Sequence, residues 1–347
     1  MFKSNHRAIA LLSGGLDSTL AVKIVSGLGI EVEALNFYTG FCIVEQRRRV
    51  GGKRAEGKPI RNEALRAGAD LGVKVELIDI SKEYLKMVTN PRHGYGRAIN
   101  PCIDCRIFML KKAKEYMEEV GAGFVITGEV LGQRPMSQHR DAMNLIEKES
   151  GLKRLILRPL SALLLPPTIP EENGWIDREK LFDIRGRSRK PQVELAKRLG
   201  ITDYPQPAGG CCFLTDKNYA RRFKDLMTFR KDKRLSSEDI ILLGVGRHFR
   251  LSNKVKVIVG RDEAENNLLE KYNNNRWLAR SLNYLGPITI AEGEPDEKEL
   301  ELIAGITAWY SDGRNSHDTE ILCQRRDIQY TLKPYPVVED KLNDWRI

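Results

Sequence analysis

No stretch of this chain approaches the ~20 consecutive apolar residues that a helix needs to cross a bilayer, so the sequence offers no membrane span. The apolar run Ala8 to Leu12 behind the polar start Met1 to Arg7 is too short for a secretory h-region. The expectation is a soluble, cytoplasmic protein without a membrane partner. Histidine is scarce, at five residues, and no zinc-ligand spacing is visible. His93 and His139 show no partner in the sequence and stay outside the catalytic set. Cysteines number six. In a reducing compartment, clustered cysteines point to catalysis or metal binding before disulfides. Four of them form two tight pairs, Cys102 with Cys105 and Cys211 with Cys212, whereas Cys42 and Cys323 read as packing residues. A glycine loop near the N-terminus lacks the lysine of a Walker-type loop, which argues against ordinary γ-phosphoryl transfer.

What that loop does contain is Ser13-Gly14-Gly15-Leu16-Asp17-Ser18-Thr19, between the apolar run 8–12 and a helical pattern from Leu20 to Val25. Two glycines permit a tight turn and close backbone approach, hydroxyls add donors, and the new helix aims free N–H groups at an anion. The first two hundred residues alternate β-rich runs (8–12, 31–37, 74–79, 124–127, 155–158) with helical patterns, notably 61–71, 106–120 and 191–199. This rhythm predicts a doubly wound parallel α/β sheet, which places its ligand crevice at the carboxyl ends of the strands. Composition becomes more charged after Cys212. The expected division is 1–215, a linker at 216–240, and a smaller C-terminal α+β domain at 241–347.

The first pair, Asn100-Pro101-Cys102-Ile103-Asp104-Cys105-Arg106, precedes the helix expected near Ile107. A helix N-terminus and an adjacent arginine both favour thiolate at Cys105. The second pair lies in the glycine turn Gly209-Gly210-Cys211-Cys212-Phe213. Net charge is +10, with 57 Lys and Arg against 47 Asp and Glu, a balance that suits polyanionic partners. Arg134, Arg140, Arg158, Arg185, Arg187, Arg189 and Lys190 are candidate phosphate contacts.

The Ser-Gly-Gly-x-Asp-Ser run resembles the loop of the PP-loop, or N-type, ATP pyrophosphatases, which implies cleavage of ATP between the α and β phosphates. With Cys105, the Gly-x-Cys-Phe segment at Cys212, Thr127-Gly128 and the helix from Lys190, residues 7 to 215 resemble the PP-loop tRNA thiouridylases, particularly the bacterial 2-thiouridylases. The resemblance implies ATP and Mg²⁺ bound at Ser13, Gly14, Gly15, Leu16, Asp17, Ser18, Thr19, Thr127 and Gly128. It implies catalytic Cys105 and Cys212, a tRNA substrate, and a sulfur donor that is a persulfide carrier protein or sulfide. A homodimer is also compatible with it. Cys102 with Cys105 and Cys212 resembles, in addition, the three-cysteine set that holds a [4Fe–4S] cluster in iron–sulfur thiolation enzymes. Both chemistries stay open, as does 4-thiouridine against 2-thiouridine. The chain departs from the pattern at Cys102, where the family more often has Asp, and at Glu129, where it has His. Two readings compete with this one: a PP-loop ligase adenylating a small carboxylate, and a non-enzymatic RNA-binding protein. In the C-terminal part, Val259-Gly260-Arg261-Asp262-Glu263-Ala264 weakly resembles the NFACT RNA-binding domain, and basic residues interleave there with Trp277, Tyr284, Trp309 and Tyr310.

Overall fold

Arg7-Ala8-Ile9-Ala10-Leu11 is apolar on both faces of its strand, the composition of a strand covered by helices on both sides. In the computed structural model, which describes residues 7–43, 61–205, 212–230 and 234–347, this strand is the centre of a parallel sheet. Strands β1 (Arg7–Leu11), β2 (Glu31–Tyr38), β3 (Val75–Asp79), β4 (Phe124–Ile126) and β5 (Ile156–Leu157) are ordered β3-β2-β1-β4-β5. Ala8 to Ala10 pair in register with Val32 to Ala34 on one side and with Phe124 to Ile126 on the other. The chain winds outward from β1 in both directions, so the switch point of the sheet lies between β1 and β4.

Helix α1 (Leu16–Ser26) follows β1, and its apolar residues Leu20, Ala21, Ile24 and Val25 join Phe124, Ile126, Leu195 and Ala196 in the core on one face of the sheet. Helix α2 (Glu63–Leu71) is N-capped by Asn62, whose side chain accepts from the N–H groups of Ala64 and Leu65, and closes on Gly72 at φ 66°. After α3 (Ser81–Thr89), α4 (Cys102–Glu119) covers the opposite face, where Ile107, Leu110, Ala113 and Met117 pack on Ile9, Leu35 and Val125. Helices α5 (Arg140–Ser150), α6 (Ile169–Glu172) and α7 (Lys190–Arg198) complete the unit, with α7 against α1. The expected doubly wound sheet is therefore present. Helix α4 begins four residues earlier than the 106–120 pattern suggested, so both Cys102 and Cys105 lie inside its first turn and not ahead of it.

Among the described residues, contacts divide the chain into 7–42 with 61–205 as one unit, and those from 212 onward as a second. The stretch 216–240 carries helices α8 (Lys217–Phe229) and α9 (Ser237–Leu243), and α8 buries Tyr219, Ala220, Phe223 and Leu226. The second unit has an antiparallel sheet of β6 (Arg247–Arg250), β7 (Lys256–Val259), β8 (Trp277–Ser281), β9 (Thr289–Glu292), β10 (Ile321–Arg325) and β11 (Ile328–Leu332), ordered β11-β10-β8-β9-β7-β6. Helices α10 (Glu263–Lys271), α11 (Glu297–Trp309) and α12 (Glu339–Trp345) accompany it, which is the α+β domain expected. No described helix is long and apolar enough to cross a membrane.

Candidate nucleotide and thiol site

The loop between β1 and α1 is held from several sides. Gly14 adopts φ +75°, and a Cβ placed there would lie 2.2 Å from the carbonyl carbon of Glu63, so only glycine fits against the start of α2. Arg66 of α2 donates to the Gly14 carbonyl at 3.3 Å and to the Asp203 carbonyl at 2.6 Å, while Asn36 of β2 donates to the Leu12 carbonyl at 2.8 Å. Inside the loop, the Ser13 and Ser18 hydroxyls are 3.1 Å apart, and Ser18 and Thr19 both donate to the Gly15 carbonyl at 3.0 Å. Gly15 is the N-cap of α1 and provides no side-chain cap. The first-turn N–H groups of α1 thus form an anion cradle at the carboxyl end of the central strand.

Across the switch point, Thr127-Gly128 continues β4. A Cβ on Gly128 would lie 2.5 Å from both the Asp17 carbonyl carbon and the Ser18 nitrogen, which shows how closely this segment presses on the first turn of α1. All the loop and Thr-Gly residues named from the sequence therefore meet in one place. Asp17 Oδ2 accepts from Gln133 at 2.9 Å and from Arg189 at 3.2 Å, whereas its buried Oδ1 has no hydrogen-bond partner. The Gln133 contact was not anticipated, and Arg189 was grouped only with general phosphate contacts. These partners lie 116 and 172 residues from Asp17, beyond any local pattern.

Glu129, the residue that departs from the family pattern, is fully buried. Arg158 donates to its Oε2 at 3.0 Å and Arg106 stands 3.5 Å from its Oε1. Burial would raise the Glu129 pKa, but Arg158 and Arg106 outweigh it and the carboxyl stays below the ordinary range. This corrects the reading of Arg158 as a phosphate contact: it is buried and bonded to Glu129 and Glu147.

Cys102 and Cys105, three residues apart, share one side of the first turn of α4. The Cys102 thiol donates to the buried Ser137 hydroxyl at 3.2 Å, and the Cys105 N–H bonds the Pro101 carbonyl at 2.8 Å. Between them, Asp104 turns inward and accepts from the N–H groups of Arg92 (3.2 Å) and His93 (2.9 Å). His93 Nδ1 is 3.1 Å from Asp104, and its Nε2 is 3.3 Å from Glu149. The histidine is thus a clasp between carboxylates, and His139 caps α5 by accepting from the Ala142 N–H at 3.3 Å. Cys212 is buried in the second unit, at the start of a short 3₁₀ turn, with its carbonyl accepting from Thr215 Oγ1 at 2.9 Å. Gly209, Gly210 and Cys211 lie outside the described residues. Cys323 is a core residue whose thiol burial pushes its pKa up to about 12, as suits a packing role.

A glycine loop without a Walker lysine thus lies at the switch point of a parallel sheet, ahead of the N-terminus of α1. Residues 3–163 match the family model described as thiamine biosynthesis protein (ThiI), and residues 246–346 match the model of the NFACT protein RNA binding domain. The first part of the chain is thus similar to the ThiI family and the last part to the NFACT RNA binding domain. Among its relatives, a "Probable tRNA sulfurtransferase" of Thermococcus kodakarensis is 27% identical over 178 residues, 51% of this chain and 39% of the relative. A protein of the same name from Lysinibacillus sphaericus is 30% identical over 215 residues, 60% of this chain and 42% of the relative. The tRNA-specific 2-thiouridylase MnmA of Petrotoga mobilis is 23% identical over 236 residues, 64% of this chain and 59% of the relative. The chain thus spans between 39% and 59% of the length of these relatives. A solved 4-thiouridine synthetase in complex with RNA and ATP aligns with a TM-score of 0.37 and 23% identity, covering 56% of this chain and 41% of that one.

Proposed function

We propose that this protein is an ATP-dependent tRNA sulfurtransferase that replaces a uridine carbonyl oxygen with sulfur. The observation that carries the reading is the convergence of Ser13–Thr19 and Thr127-Gly128 on one anion cradle, in a unit that also bears a Cys-x-x-Cys pair in the first turn of a helix. The N–H groups at the start of α1 hold the β and γ phosphates of ATP. Asp17 Oδ1, buried and without a protein donor, is an oxygen that fits the Mg²⁺ accompanying ATP. The uridine oxygen attacks the α-phosphorus and pyrophosphate leaves, so the oxygen becomes part of an AMP leaving group.

Sulfur carried as a persulfide on Cys212 then attacks the activated carbon and AMP departs. The Cys105 thiolate attacks the Cys212 Sγ, releasing thiouridine and leaving a Cys105–Cys212 disulfide that a thiol reductant returns to two thiols. Cys105 lies in the N-terminal turn of α4. The [4Fe–4S] cluster expected on Cys102, Cys105 and Cys212 would supply sulfide at an open iron site, but among the described residues no group of three Cys, His, Asp or Glu is placed to hold a metal ion. Bound iron distinguishes that route, and no step above depends on it. The donor to Cys212 is a persulfide carrier protein, whose outer sulfur passes to the Cys212 thiolate and leaves a carrier thiol, while sulfide would serve only the cluster route; the site of action is the cytoplasm. The test is incubation with unmodified tRNA, ATP, Mg²⁺ and a persulfide donor, with sulfide in its place for protein that carries iron. Thiouridine with AMP and pyrophosphate supports the reading, and tRNA left unmodified with no pyrophosphate released refutes it.

A further inference from the structure

The second unit carries three arginines laid on aromatic rings at one end of helix α11. The Arg247 guanidinium lies 4.6 Å from the Tyr310 ring centroid, Arg314 lies 5.0 Å from that of Trp309, and Arg346 lies 5.9 Å from that of Phe249. The three stacks are continuous. Trp309 and Tyr310 are consecutive at the C-terminus of α11, the Phe249 and Tyr310 rings are 6.2 Å apart, and Arg346 donates to the Tyr310 hydroxyl at 3.2 Å.

Charge separates these arginines from several neighbours. Arg250 is paired with Asp225 at 2.5 Å, Arg276 with Glu292 at 3.1 Å and Arg325 with Glu294 at 2.7 Å. Among the described residues, none of Arg247, Arg314 and Arg346 has a carboxylate partner. Their positions are nonetheless fixed. Arg314 belongs to a loop tied by the Asp312 N–H to the Leu285 carbonyl (2.8 Å), by Thr319 to the Gly313 carbonyl (2.6 Å) and by Tyr284 to Asp318 (2.7 Å). Arg346 is held by a backbone bridge to Phe249.

Three pre-placed, uncompensated guanidiniums match a polyanion, and a guanidinium with one face on a ring can offer the other face to an unstacked base. Leu285, 81% exposed, borders the same loop and adds an apolar contact of the kind that bases accept. We infer that Arg247, Arg314 and Arg346, on their aromatic supports, form the surface by which this unit grips the tRNA, through phosphate contacts and guanidinium–base stacking. The inference rests on the proposed tRNA substrate and assigns its contact to these residues.

The test compares the full chain with R247A/R314A/R346A and R247K/R314K/R346K, reading tRNA affinity across a salt series and checking folding by thermal melting. Each phosphate contact contributes roughly 0.7–0.9 to the slope of log K against log salt. The alanine variant is expected to melt as a folded protein, to bind about tenfold or more weakly and to lower the slope by about 2. The lysine variant should keep the slope and lose affinity, because charge remains without the planar stack. A folded alanine variant with wild-type affinity and slope overturns the inference while leaving tRNA as substrate intact. A wild-type chain that binds no tRNA overturns both. If the alanine variant does not fold, the single variant R314A, at an exposed loop position, is expected to lower the slope by nearly 1, and an unchanged slope overturns the inference.

Discussion

Replacing Gly128 with alanine probes the nucleotide site without removing a functional group. The added Cβ would lie 2.5 Å from the Asp17 carbonyl carbon and from the Ser18 nitrogen, both backbone atoms. Ordinary contact needs roughly 3.4 Å or more, so the first turn of α1 or the end of β4 must yield by about 0.9 Å. Overpacking of this kind costs about 1–3 kcal/mol of stability. Displacing a positioning group by about 1 Å costs on the order of 100-fold in rate. The expected result is a folded protein whose tRNA-dependent pyrophosphate release falls by about two orders of magnitude. Gly29→Ala is the control, because a Cβ there meets nothing within 4 Å, although Gly29, unlike Gly128, has positive φ (+84°). It carries only the backbone strain, about 1–2 kcal/mol, and should leave turnover unchanged. Wild-type turnover in the Gly128→Ala protein, or an equal loss in both variants, would refute the claim that Thr127-Gly128 sets the position of the cradle.

Cys212→Ser and Cys105→Ser should each abolish thiouridine formation, by nucleoside mass spectrometry, while pyrophosphate release persists, since adenylation precedes sulfur transfer; full thiolation by either variant would remove that cysteine from the mechanism. Glu129→Gln leaves buried Arg158 facing one carboxylate fewer and should cost about 3 kcal/mol in denaturant unfolding, with a loss below about 1 kcal/mol contradicting the buried network. In the second unit, burial pulls Lys256 down to about 8, so between pH 8 and its usual 10.5 the unfolded chain holds a proton that the folded chain does not, and this lysine's contribution to stability rises with pH. Cys323, held near 12, works in the opposite direction above its ordinary 9, so the net rise should be clearest between about pH 8 and 9. Lys256→Met should flatten that rise and stabilise the unit at pH 7 by at most about 3 kcal/mol; an unchanged pH profile would contradict the assignment.

The parallel sheet was legible because its strands are short apolar runs bounded by turns and because the glycine loop marks where β1 ends. Ser13 to Thr19 could be named in advance because the loop occupies the carboxyl end of a strand in a fold that places its crevice there, whereas Thr127-Gly128 was named from the family resemblance. The start of α4 was not legible. Pro101 acts as its N-cap, and the inward turn of Asp104 depends on the N–H groups of residues 92 and 93 in a preceding loop. Likewise, Arg158 reads from the sequence as a phosphate contact because Glu129 and Glu147 reach it only through tertiary packing. In the C-terminal unit, β6 begins and ends in arginine, and β11 is largely exposed, so neither shows the alternation that announces a strand. The stretch 216–240 read as linker on its charge, although Tyr219, Phe223 and Leu226 give α8 a buried face at helical spacing.

The most direct test of the central claim follows both products of ATP while unmodified tRNA is incubated with the protein, Mg²⁺ and a persulfide donor. The account predicts AMP and pyrophosphate, dependent on tRNA, in step with the appearance of thiouridine. Release of ADP and phosphate, or of AMP and pyrophosphate without any thiouridine when the persulfide donor is supplied, would contradict it.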